Sequence, residues 1–284
     1  MTLSCVFFVI RNKKMNYLNL GCGNRFHTDW TNIDFVSNNE HVIAHNLLEG
    51  LPFDDENFDV VYHSHVLEHF TKQDAILFMK ECFRVLKKGG IIRVAVPDLE
   101  QLVNEYLKAL KEVEVLDTQI NQANYQWAII ELLDQMVRER VGGEMLKYWN
   151  QQEIINEEKI TQRVGHEFLR IRHTLLKNRF KTTTIGSGIS STSLKMRIKK
   201  ILFNKLHIVP ENVELGNFRN SGEVHKWMYD KYSLKYLFIS SGFKSVKIQT
   251  AKDSLIKNWD VYSSLDLEND TVRKPDSIFM EAVK

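Results

Sequence analysis

Apolar positions in the first hundred residues fall in short continuous runs, each closed by a polar or glycine-rich turn. Tyr17-Leu18-Asn19-Leu20 ends at Gly21-Cys22-Gly23-Asn24, Thr31-Asn32-Ile33 ends at Asp34-Phe35, and Val42-Ile43-Ala44 ends at His45-Asn46-Leu47. Phe58-Asp59-Val60-Val61-Tyr62-His63 and Ile91-Ile92-Arg93-Val94-Ala95-Val96 are longer and more evenly apolar. Runs of this length bounded by turn residues predict strands buried in a parallel sheet. Between the last two, Ala75, Leu77, Phe78, Cys82, Val85 and Leu86 recur at roughly helical spacing. They predict a helix over 74–86, stopped by Lys87-Lys88-Gly89-Gly90.

Past Pro97-Asp98 the pattern turns helical, over Leu99–Leu116 and Asn121–Val141, the second ending before Gly142-Gly143. Residues 182–193, rich in Ser, Thr and Gly, predict a loop. Residues 193–206 are amphipathic in part, with Leu194, Ile198, Ile201 and Leu202 on one face. A helix over 234–241, stopped by Gly242, and strands at 246–248 and 278–283 complete the chain. The expected fold is α/β: a doubly wound, mostly parallel, seven-stranded Rossmann-like sheet with a largely helical insertion after strand 5 and an antiparallel last strand. The expected organisation is an N-terminal extension (1–14), a ligand-binding half (15–98), a helical lid (99–222) and a C-terminal part of the core (223–284).

Composition narrows this only locally. The chain has 284 residues, 43% hydrophobic and 26% charged, with a net charge of +2 that gives no overall pull towards nucleic acid. Cys5, Cys22 and Cys82 have no paired spacing, so neither a disulfide framework nor a zinc site is indicated, and a cytoplasmic location suits them. Met1–Ile10 is too short to span a bilayer, and Arg11, Lys13 and Lys14 follow it, the wrong order for a signal peptide. From Phe168 to Pro210 there is no acid, while Arg170, Arg172, Lys177, Arg179, Lys181, Lys195, Arg197, Lys199, Lys200 and Lys205 fall within it. This is either the solvated face of a lid helix or a surface for an anionic acceptor or an anionic membrane, the last of which would make the protein peripheral to it. Nucleic acid is disfavoured because aromatic residues for base stacking are sparse there.

The chemistry centres on the glycine turn. Gly21 and Gly23 allow positive φ and close approach of a ligand, and Asp34 stands where a carboxylate can accept both hydrogens of a ribose diol. Arg25 occupies the place of a third glycine, and the stretch from Gly23 to Asp34 leaves little room for a full helix. A pyrophosphate seated on a helix N-terminus, and with it a nicotinamide oxidoreductase, is therefore disfavoured. Leu18-Asn19-Leu20-Gly21-Cys22-Gly23, with Asp34, Asn46, Leu67-Glu68-His69 and Leu86-Lys87-Lys88-Gly89-Gly90, resembles the class I S-adenosylmethionine-dependent methyltransferases, type 11 group. The likeness covers Tyr17 to about Leu102 and resumes at His225.

That resemblance implies S-adenosyl-L-methionine as cofactor, contacted by Asn19, Gly21, Cys22, Gly23, Asp34, Asn46, Leu47, His63 and Ser64. It implies a base among His65 and His69, and an acceptor site drawn from Asp98, His225, Trp227 and Tyr229. Asp230 reads equally as pocket wall or helix cap. The acceptor is expected to be a hydroxyl on a small molecule, sugar or lipid-linked saccharide. No metal is expected, because His63 and His65 have no evident acidic or cysteine partner. A protein that kept the fold as a non-catalytic binding module is the alternative.

Overall fold

The computed structural model describes residues 15–37, 39–182 and 210–284. The expected extension at 1–14 and the amphipathic stretch 193–206 lie outside the described residues, as does nearly all of the loop at 182–193.

The apolar runs become β1 (Tyr17–Leu20), β2 (Thr31–Asp34), β3 (Val42–Ala44), β4 (Phe58–Ser64) and β5 (Leu86–Pro97), all parallel. β6 (Lys244–Gln249) and β7 (Ser277–Val283) finish the sheet. β7 inserts antiparallel between β5 and β6, so the strand order is β3-β2-β1-β4-β5-β7-β6. The order reverses at β1/β4, where a crevice opens beyond the carboxyl ends of the strands.

Strand periodicity decides which face each side chain serves. Leu18, Leu20, Val61, Ile92, Val94, Met280 and Ala282 face helix α1 (Lys72–Val85) and enclose the main core. Thr71 caps α1 through the Asp74 amide, and its stripe Ala75, Phe78, Met79, Cys82 and Val85 is buried. Residues 87–90 are not a helix stop. They extend β5, because the chain's end pairs with them: the Gly89 amide donates to the Lys284 carbonyl and the Lys284 amide to that of Gly90.

The opposite face is closed without a long helix. No helix lies between β1 and β2 or between β2 and β3 among the described residues. Instead Tyr17, Trp30 and Tyr62 pack against Ile256, Trp259 and Leu265 from the segment between β6 and β7. In the same layer Arg93, fully buried, pairs with Asp266 and Glu281 at 2.8 and 2.7 Å and lies 4.4 Å from the Trp259 ring centre.

The insertion contains α2 (Leu99–Val115), α3 (Gln119–Val137), α4 (Gly143–Trp149), α5 (Glu157–Val164), α6 (His166–Thr182) and α7 (Pro210–Arg219). The second helix thus starts earlier and stops earlier than the expected 121–141, because Thr118 caps it and Arg138 turns extended. Trp127, Tyr148, Trp149, Ile160 and Phe168 give these helices a core of their own. Helix α8 (Lys231–Ser240) then leads back to β6.

Candidate active site

The glycine turn is fixed by its neighbour strand. Gly21 and Gly23 have φ of +63° and +52°. A Cβ on Gly21 would overlap Cγ2 of Val66, so only glycine fits. The Cys22 amide donates to the Ile33 carbonyl at 3.0 Å, and the Gly23 amide to Asp34 Oδ2 at 2.6 Å. That leaves Oδ1 of Asp34 for a ligand. Asn19 is buried and donates to the Arg25 carbonyl and to Asn32 Oδ1, so it braces the turn from within the sheet. Arg25, in place of a third glycine, pairs with Glu268 at 2.9 Å. Burial, with Asp34 nearby, pushes the Cys22 thiol up to about 12, which removes it as a nucleophile.

A cavity of about 350 Å³ opens beside this turn, and Gly21, Asp34, Asn46, Leu47, His65 and His69 contribute to its wall. Asn46 caps the turn at Leu47–Glu49, its oxygen accepting from the Leu48 amide and its Nδ2 donating to Glu49. One lone pair of that oxygen remains for a ligand amino group. Phe35, Asn220, Ser221, Gly222 and Lys226 complete much of the wall. Of these, Asn220-Ser221-Gly222 carried a turn signature in the sequence, but nothing linked it to a site two hundred residues upstream.

The histidines separate by backbone geometry. His63 does not reach the cavity, contrary to expectation. β4 alternation sends it to the α1 face, where it is fully buried with its ring edge-on to Phe78. Burial lowers its pKa to about 3, against the opposing pull of Glu68. Ser64 is partly exposed at the end of β4 and is also absent from the cavity wall.

His65 follows with φ of +56°, which swings its ring off the strand direction. Its Nε2 lies 2.8 Å from Ser277 Oγ and its Nδ1 3.1 Å from Glu68 Oε1. Glu68 is fully buried in the turn Leu67–His69. Burial works to raise its pKa, but His65 beside it, foremost, holds it down at about 2. The His69 and His225 rings meet edge to face at 4.8 Å. His225 reaches this turn because its amide donates to the Gln135 carbonyl of α3, while the Lys226 and Trp227 amides donate to the Glu68 carbonyl. Burial lowers the His225 pKa to about 3, so its ring is neutral near pH 7.

The other expected acceptor residues lie elsewhere. Asp98 caps α2, accepting from the Glu100 and Gln101 amides, and burial raises its pKa. Tyr229 is buried in the main core and bridges backbone to Asp98. Trp227 lies under the Lys72 ammonium at 4.4 Å. Asp230 is a helix cap, forming a reciprocal pair of hydrogen bonds with Ser233 at the start of α8. In the basic run, Arg172 is no surface charge: it is buried, pairs with Glu157 and donates to the Trp149 and Gln151 carbonyls. Arg170 and Lys177 are exposed.

A second cavity, of about 320 Å³, lies against the helices of the insertion, where Glu131, Arg138, Trp149, Glu223 and Asp276 contribute to its wall. His65 is the residue common to both cavities. Trp149 Nε1 and Asp276 Oδ1 are buried there with no hydrogen-bond partner.

A seven-stranded sheet with β7 reversed between β5 and β6, a glycine turn after β1 and an acid at the end of β2 defines a class I methyltransferase fold. Residues 18–94 match the family model described as "Methyltransferase domain". A relative from Mycolicibacterium smegmatis, named "Probable S-adenosylmethionine-dependent methyltransferase", is 43% identical over 56 residues, 20% of this chain. The match spans about a fifth of that relative's length (21%). Among solved structures, a Thermotoga maritima "SAM-dependent methyltransferase, possible histamine N-methyltransferase" aligns with 14% identity and a TM-score of 0.39, covering 96% of this chain and 83% of that one. A "SAM dependent methyltransferase" from Archaeoglobus fulgidus aligns with 14% identity and a TM-score of 0.38, covering 95% and 86%.

Proposed function

We propose that the protein transfers the methyl group of S-adenosylmethionine to a hydroxyl of a polyhydroxylated acceptor, a saccharide or a lipid-linked saccharide. One observation carries the reading: His65 stands between the cavity at the glycine turn and the cavity against the helical insertion.

The residues present fit the cofactor. Gly21 lets the backbone approach it, Oδ1 of Asp34 is free for its ribose, and Asn46, Leu47 and Phe35 surround the space for its base. Bound there, S-adenosylmethionine supplies a methyl group already activated by a sulfonium leaving group. The chain's own task is then to align acceptor and methyl carbon and to remove one proton.

His65 takes that proton at Nε2, the atom that contacts Ser277 Oγ in this structure. Glu68 lies 3.1 Å from Nδ1, which leaves Nε2 as the nitrogen available to the acceptor. Trp149 offers an aromatic face and an unpaired indole N–H, and Asp276 an unpaired carboxylate oxygen, both suited to a sugar ring.

The test is transfer of a tritiated methyl group to a panel of saccharides and amines. Label in an alkali-stable methyl ether, with turnover falling about 10²–10⁴-fold in His65→Ala while S-adenosylhomocysteine still binds, supports the reading. Label on amines alone would contradict the hydroxyl acceptor. Tight cofactor binding with no transfer to any acceptor would favour a non-catalytic binding module.

A further inference from the structure

Glu68, His69 and His225 form a cluster that the proton-transfer account leaves largely unused. One ligand atom from each lies within 4.8 Å of the other two. Both Glu68 oxygens, His69 Nδ1 and His225 Nδ1 are buried and make no well-aligned hydrogen bond, the 3.1 Å approach of His65 to Glu68 included. A fully buried carboxylate without hydrogen bonds costs several kcal/mol unless a cation compensates it. Among the described residues, the Lys or Arg ion pairs do not include Glu68. Unpaired polar atoms that converge from two distant segments make a built site, held by the amides of Lys226 and Trp227 on the Glu68 carbonyl.

We propose that Glu68, His69 and His225 hold a divalent first-row metal ion such as Mn²⁺ or Co²⁺. Two imidazoles and one carboxylate on one side of an ion, with open positions on the other, suit these metals. Nitrogen and oxygen ligands lie about 2.1 Å from such an ion and, on one side of it, about 3 Å from one another, so donors now up to 4.8 Å apart must close on binding. Of the three, His69 is the one partly exposed at the cavity wall, where a side chain has room to turn. His65 stands behind Glu68 as an outer contact that orients the carboxylate. His65 and His69 also border the cavity containing Gly21 and Asp34, so the open positions face the reacting region.

The ligand for those positions is a hydroxyl, or a vicinal pair of hydroxyls, of the acceptor, and a bound metal lowers the pKa of an oxygen it coordinates. This role rests on the proposed methyl transfer to a hydroxyl; metal binding itself does not. The expectation of no metal weighs only His63 and His65, and the proposed site uses neither. Glu68 is its acid, and the third ligand, His225, is hidden far along the chain.

The test uses the full chain, stripped with chelator and titrated calorimetrically with Mn²⁺ and with Co²⁺. The expected result is one ion per chain, with affinity falling more than about 10-fold in Glu68→Gln and in His225→Ala. His173→Ala, on the exposed face of α6, should bind as the wild type does. If the buried variants fail to fold, electron spin-echo spectroscopy of Mn²⁺ on the wild type reads the same point, since two imidazole nitrogens must couple to the ion. No stoichiometric binding, or binding without nitrogen coupling, overturns the proposal and leaves a carboxylate–imidazole cluster. S-adenosylhomocysteine binding is titrated in parallel on metal-free protein. If it binds while no metal does, the metal site alone fails; if metal binds but S-adenosylhomocysteine does not, the methyltransferase reading fails instead.

Discussion

Gly21 lines the cavity and His63 lies buried on the α1 face of the sheet, and each is constrained by a different term. Gly21 combines a left-handed backbone with contact against Val66, so Gly21→Ala meets both strain and overlap. A loss of about 2 kcal/mol or more in urea unfolding is expected, with weakened cofactor binding. His63 is buried neutral, its pKa lowered to about 3 by burial. The folded state therefore leaves it unprotonated below pH 6.5, while the unfolded chain takes up a proton there. Stability from this group is complete above pH 6.5 and is lost as pH falls towards 3, at about 1.4 kcal/mol per pH unit. His225, lowered to a similar value, adds a parallel loss. Urea midpoints measured across this range should fall steeply in the wild type and less steeply in His63→Leu. Equal slopes would show that His63 is protonated in the folded state.

At the scale of elements, the face of the sheet without long helices depends on a buried charge network. Arg93 pairs with Asp266 and Glu281, and donates to the carbonyls of Thr250, Ala251 and Asp253. Glu281 also accepts from Gln249, Ser254 and the Leu255 amide. Removing one partner leaves buried charge uncompensated, so Glu281→Ala should cost about 3–5 kcal/mol in chemical denaturation. Asp230→Ala, which removes only a helix cap, should cost about 1 kcal/mol. A loss for Glu281→Ala no larger than that of the cap would show that the network is dispensable.

The strands and α1 were legible because their apolar periods are short-range properties of the chain. The glycine turn and Asp34 were legible because φ and spacing encode them locally. His63 was misplaced because an apolar run on both sheet faces conceals which face each residue takes. The roles of Asp98 and Asp230 went to helix capping, a choice that depends on where each helix starts. The Arg93 network and the approach of His225 to Glu68 join distant segments, and no local pattern reports such pairs.

For the molecule as a whole, the cavity at the glycine turn, the helical insertion and the C-terminal segment meet around His65 and the loop at 220–227. A ligand that binds the folded chain alone stabilises all of it. S-adenosylhomocysteine at about 100 times its Kd should add about 2.7 kcal/mol and raise Tm by several degrees. No shift at saturating ligand would mean that the cavity at the glycine turn takes another molecule.

The most direct measurement is calorimetric titration of S-adenosylmethionine and S-adenosylhomocysteine into the wild type and into Asp34→Ala. Asp34 is held by the Gly23 amide with one carboxylate oxygen free beside the cavity, so its removal takes away hydrogen bonds to a charged group. That loss is about 2–4 kcal/mol, at least about tenfold in affinity. The account predicts micromolar binding by the wild type and weakening of at least this size in a variant that still folds. Absence of binding by well-folded wild type, or equal binding by Asp34→Ala, would contradict it.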